Sequence, residues 1–135
     1  MEKKLILITF GALIIVFAAI MLVFNIPSFG TYIMSPSFFI MAGGSLLILG
    51  IILIFLTARE VSLGQAKNFL LITGFSAAGI FLSVILHNFI YGLIFAGLLK
   101  IPRIDESFFF ILATIIFPIS FLIGAIGSVV NLVKK

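Results

Sequence analysis

Charge is scarce in this 135-residue chain, at 9% of residues, and is missing altogether from three long stretches, 5–58, 68–99 and 107–133. Every charged residue lies in Glu2–Lys4, Arg59–Lys67, Lys100–Glu106 or Lys134–Lys135. Cysteine is absent, which excludes disulfides, thiolate metal sites and CxxC redox chemistry. Tryptophan is absent too, and with only two tyrosines, Tyr32 and Tyr91, an interfacial aromatic belt has few members. No carboxylate falls inside an apolar stretch, so the carboxylate-driven proton exchange of small four-helix multidrug exporters has no residue to carry it. There is no His/Asp/Glu cluster spaced for a metal, no Ser/His/Asp set in register and no phosphate-cradling glycine loop. Catalysis is not expected of such a chain.

What is present is hydrocarbon. The chain is 64% hydrophobic with 17 phenylalanines and a mean hydropathy of +1.49, against about 45 to 50% apolar residues in an average soluble domain. A charge at the centre of a bilayer costs roughly 2.5 to 3.5 kcal/mol on insertion scales, so this exclusion of charge points to lipid as the solvent. A span needs about 20 residues. The fold class expected is therefore all-α, an integral membrane four-helix bundle forming a single transmembrane domain over residues 1–135.

The first uncharged stretch is too long for one span, since as a single helix it would reach about 80 Å. Asn25, Pro27, Ser28, Gly30, Ser35, Pro36 and Ser37 supply the break, with Ser35-Pro36 suited to an N-cap followed by proline at the first helical position. Helices are expected at about 5–24, 36–58, 68–99 and 107–133. The first, although it follows Glu2-Lys3-Lys4 as a signal peptide would, lacks a small-residue cleavage site and reads as a retained helix. Ser62-x-x-Gln65 matches a capping box for the third. That third helix exceeds one vertical crossing, which requires either a steep tilt or, the reading favoured here, an exit from the hydrocarbon near His87-Asn88 into an interfacial or protein-packed segment ending before Pro102. Asp105 and Glu106 suit the positive end of the fourth helix dipole, and Pro118 predicts a kink within it.

Four spans put both termini on one side. That side carries Lys3, Lys4, Arg59, Lys67, Lys134 and Lys135, the other only Lys100 and Arg103, so the termini are expected in the cytoplasm and the protein in the cell membrane. The net charge of +4 is thereby accounted for by orientation, and no nucleic-acid partner is implied.

On the third helix Thr73, Ser76, Gly79, Ser83, His87 and Tyr91 fall within an arc of about 120° at 100° per residue, amid Leu, Ile, Phe and Val. Polar groups in lipid need partners, so this face should meet protein, a cavity or a bound molecule. His87 is the only histidine. Its leading reading is structural hydrogen bonding or interfacial anchoring; the sharper ones are a contact to haem, a chlorophyll-type pigment or a quinone, and proton transfer. A haem would need a second axial ligand from a partner or from a methionine such as Met21, Met34 or Met41. Tyr91 stands one turn beyond His87, within reach of it. On the fourth helix Ala113, Ser120, Gly124, Gly127 and Asn131 share an arc of about 60°, and Ser120-x-x-x-Gly124 with Gly124-x-x-x-Ser128 are small-residue packing patterns. That seam either closes the chain's own bundle, the reading favoured, or joins two copies.

The function expected is that of a small polytopic membrane protein without a catalytic site, an accessory or scaffold subunit of a membrane complex or a homo-oligomer. Its partners would be lipids and other membrane subunits or itself. The alternatives are a small oligomeric transporter or pore with a polar path along the third helix, and a haem, pigment or quinone-binding subunit using His87.

Overall fold

The computed structural model describes residues 2–26, 35–60, 62–100 and 107–134. They form four helices and, among the described residues, no strand: α1 (Glu2–Asn25), α2 (Pro36–Arg59), α3 (Gln65–Leu98) and α4 (Phe108–Val133). All four are long and apolar enough to cross a membrane. Arg103, Asp105, Glu106, Pro102, Tyr32 and the Pro27–Gly30 turn formers lie outside the described residues.

The buried residues explain why these helices assemble. In α2 they are Gly43, Leu46, Gly50, Leu53 and Thr57, alternating three and four residues apart, and in α1 Ile6, Phe10, Leu13 and Phe17 repeat the same step. Steps alternating between three and four residues are the spacing that coiled-coil-like seams use. Helix α3 is central, packed on α2 along one side and α4 along the other, while α1 rests on α2 and touches α3 lightly. The registers run antiparallel. Gly43 lies against Phe81 and Gly50 against Gly74, Ala77 and Ala78; on the other flank Gly79 meets Phe117 and Gly124 meets Thr73. Large side chains such as Ile15, Ile48, Phe75 and Ile126 point outward instead. Small residues thus stand at the closest approaches of α2, α3 and α4 while large apolar side chains both fill the core, as Leu46, Leu53 and Phe121 do, and face outward, as lipid permits.

The helix ends show the local chemistry. Ser35 caps α2, its hydroxyl accepting from the Phe38 N–H at 3.2 Å, with Pro36 next in the helix. Lys67 Nζ donates to the Ala58 carbonyl at 2.8 Å, satisfying an orphan acceptor at the other end. The capping box expected at α3 is not formed. Ser62 is engaged by the Glu60 carboxylate, which accepts from both its N–H and its hydroxyl, and Gly64 becomes the N-cap with φ 56. A charge-assisted bond outcompetes the neutral cap, and glycine alone enters that φ without strain.

Winding changes at two places. After Asn88 the last ten residues of α3, Phe89–Leu98, turn in the wide i→i+5 manner, and none of them is fully buried, although Ile90, Ile94 and Phe95 are half-buried. Lys100, φ 51, follows in the left-handed conformation common just past a helix. In α4 a second wide stretch, Leu112–Ile116, comes immediately before Pro118. Proline has no N–H and its ring crowds the carbonyl four residues back; the loosened turn there takes up both effects.

Candidate functional site

The polar arc of α3 lies under α4. Thr73, Ser76 and Ser83 are buried, Gly79 lies against the Phe117 ring, and Gly124 sits so close to Thr73 that a Cβ would come within 2.6 Å of Thr73 Oγ1. Gly127 faces the Phe69 ring. Ser128 is fully buried and returns its hydroxyl to the Gly124 carbonyl at 2.8 Å; Ser120 is half-buried. The side of α4 carrying Gly124 and Gly127 is thus taken by α3 of the same chain.

The arc opens toward the end away from the termini. His87 is half-buried, its ring 5.6 Å from that of Phe110 and 6.1 Å from that of Tyr91, with which it is parallel to within 5°. Tyr91 is 37% exposed. The Phe110 ring is tilted by 51° to the imidazole, so of the two neighbours only Tyr91 lies parallel to it. His87 does not line either of the two cavities described below.

Seven polar side chains of the spans return to their own helix. Thr73, Ser45, Thr114 and Ser128 donate their hydroxyls, and Asn25, Asn88 and Asn131 their amides, each to the carbonyl four residues earlier. Such bonds satisfy the side chain without a second helix. Thr57 differs: its hydroxyl is buried and has no partner. Among the described residues no group of three or more His, Cys, Asp or Glu gathers.

Two spaces in the bundle were not legible in the sequence. The first, about 430 Å³, lies at the end away from the termini and is walled by all four helices, including Met21, Phe38, Gly43, Phe81, Val84 and Ala113. The second is a groove of about 590 Å³ between α1 and α4, running from Ile14 to Met21 on one side and Pro118 to Val130 on the other. Along it the two helices meet through the stacked rings of Phe17 and Phe121, 4.1 Å apart. The only sequence signal for the first was the run Ala42-Gly43-Gly44 with Ala113, which periodicity alone assigns to packing.

The chain matches no protein-family model, no curated protein and no solved structure.

Proposed function

We propose that this chain is a non-catalytic, multi-pass subunit of the cell membrane, with cytoplasmic termini, that works by seating a helix of another membrane subunit in its α1–α4 groove. The groove is the observation that carries this reading. Helices α2, α3 and α4 approach one another at backbone distance through Gly50, Gly74 and Gly124, whereas α1 and α4 stand apart and meet through two phenylalanine rings. Gly11, three residues before Ile14 of the groove on α1, has nothing within 4 Å of where its Cβ would be. In hydrocarbon, helices associate through close packing against small residues, and a lined groove beside a glycine offers such a seat. Its length from Pro118 to Val130 corresponds to about 18 Å of helix. Six basic residues on the terminal side against two on the other support the orientation.

The cysteine-free background makes the test direct. A single cysteine at Ile126, on the groove, should crosslink to one co-purifying membrane protein from native membranes, and one at Phe75, on the lipid-facing side of α3, should not. Ala18→Trp, which fills the groove, should abolish the crosslink. A chain that migrates alone, or an Ile126 crosslink insensitive to Ala18→Trp, refutes the proposal; a crosslink to a second copy would make the subunit a homo-oligomer. The burial of Ser76 and Ser83 under the chain's own α4 weighs against a polar path between subunits. Visible absorbance lost on His87→Ala would instead favour the haem, pigment or quinone reading.

A further inference from the structure

The cavity at the end away from the termini has walls of one chemical kind. Among the described residues its sides are phenylalanine, isoleucine, leucine, valine, methionine, proline, alanine and glycine, and the one polar side chain at its edge, Ser35, already accepts a bond from the Phe38 N–H. Its rim includes Phe24 and Ile40, both exposed on the outer flank of α1 and α2. The opening therefore faces what surrounds the spans. In a chain with four membrane-crossing helices, that is hydrocarbon.

An apolar space of this kind does not hold water, which needs two to four polar partners. Left empty, its lining forfeits dispersion contacts on every wall. At about 430 Å³ it falls within the range of about 300 to 1,000 Å³ typical of small-molecule sites. Rings and small residues shape the walls. Gly43 has no side chain, and the Phe81 ring fills the place where one would stand, so the Phe81 ring forms this side, with Phe39 6.5 Å away. Ala113 presents only a methyl from α4, and the wide turns around it set α4 into Pro118 on the same wall.

We propose that this cavity is a binding site for one acyl chain of a membrane phospholipid, entering laterally between α1 and α2. Polar-headed ligands have no group in the walls to recognise them, whereas an alkyl chain needs none. On the orientation proposed above, the lipid comes from the outer leaflet. The site is separate from the α1–α4 groove, and its occupancy does not depend on a partner subunit.

Because the chain has no tryptophan, single indole reporters are unambiguous. Leu46→Trp places one on the cavity wall, Leu70→Trp one in the α3 core away from it, and Phe75→Trp one in lipid. The full-length variants are reconstituted in vesicles of dibrominated phosphatidylcholine, whose chains quench indole at close range. Quenching at position 46 should approach that at 75 and exceed that at 70. Filling the cavity with Ala113→Phe, or from another helix with Ala42→Phe, should bring the position-46 signal down to that of position 70 and leave position 75 unchanged. The proposal is overturned if position 46 is quenched no more than position 70, as it would be were a partner's side chains to fill the space, or if both filling variants leave its quenching intact. It is also overturned if an added isoprenoid quinone relieves the quenching while excess unbrominated phosphatidylcholine does not. Should neither filling variant fold, the comparison of positions 46, 70 and 75 decides alone. Loss of the groove crosslink without change in this quenching would separate a failure of the partner proposal from a failure of this one.

Discussion

Replacing Gly124 with alanine would set a methyl 2.6 Å from Thr73 Oγ1, 2.8 Å from the Thr73 backbone nitrogen and 3.0 Å from the Phe69 carbonyl oxygen. Two of those three atoms are main chain, so no rotamer change relieves the clash, and α3 and α4 must separate. Overpacking of this kind costs about 1 to 3 kcal/mol, and alanine's better helix propensity offsets up to about 1 kcal/mol of that. With that offset in full, the net expected loss is up to about 2 kcal/mol. Gly11→Ala supplies the reference. Nothing lies within 4 Å of that position, so the propensity gain of up to about 1 kcal/mol stands unopposed. Reversible unfolding in mixed detergent and dodecyl sulfate micelles, followed by circular dichroism, should separate the two variants by about 2 kcal/mol, or more than tenfold in the unfolding constant. Gly50→Ala, whose methyl would meet the Gly74 carbonyl oxygen at 2.7 Å, should behave like Gly124→Ala. Adding Thr73→Ala to Gly124→Ala removes the nearest contact but leaves the backbone pair, so the double-mutant cycle should show partial rescue, a coupling of roughly 0.5 kcal/mol or more. Equal stability of the alanine variants at 124 and 11 would refute the claim that this seam is closed at backbone distance within one chain.

Three further outcomes test other parts of the structure. Thr57→Val removes a fully buried hydroxyl that has no partner, so it should stabilise the bundle by about 1 kcal/mol in the same assay; a destabilised variant would mean that the hydroxyl is bonded. Ser35→Ala deletes the cap of α2 and should lower stability by about 1 kcal/mol, with Ser35→Asp restoring it. The bonds from Ser62, assisted by the charge of Lys3, hold the exposed Glu60 carboxyl below its ordinary 4.5. A depressed carboxylate stabilises the fold above that ordinary value and loses the contribution as pH falls through the folded value, so acidification below about 4.5 should weaken the wild type slightly more than Ser62→Ala. The thermal midpoint measured from pH 6 to pH 3 checks this, and a midpoint that rises on acidification would contradict it.

Several local features could be read directly. Ser35-Pro36 signalled the cap it forms, because a hydroxyl followed by proline satisfies an orphan N–H and presets φ within one turn of chain. Residue periodicity marked the side of α3 that bears Thr73, Ser76 and Ser83, which lies under α4. The capping box at Ser62 failed because the pattern ignores a competing carboxylate two residues upstream. The widened turns of Phe89–Leu98 carry no proline to announce them, and Tyr91, their one polar side chain, does not distinguish wide winding from ordinary helix. Neither cavity could be told from ordinary packing, small residues such as Gly43 and Ala113 included, since each is a distance between helices and not a property of any one of them.

By itself the sequence pointed to the solvent: a chain that keeps every charge out of 5–58, 68–99 and 107–133 forms helices long and apolar enough to cross a membrane, and carrying charge or unpaired backbone through hydrocarbon is too costly. Tertiary structure alone decided how those helices share their faces. It set Gly50 and Gly124 against main chain, left α1 and α4 joined by two rings, and opened an apolar space between Gly43 and Ala113. The physical reason is that hydrophobicity is uniform along these spans, so it commits them to lipid but does not rank their neighbours, and only side-chain shape, a matter of contacts across helices, does.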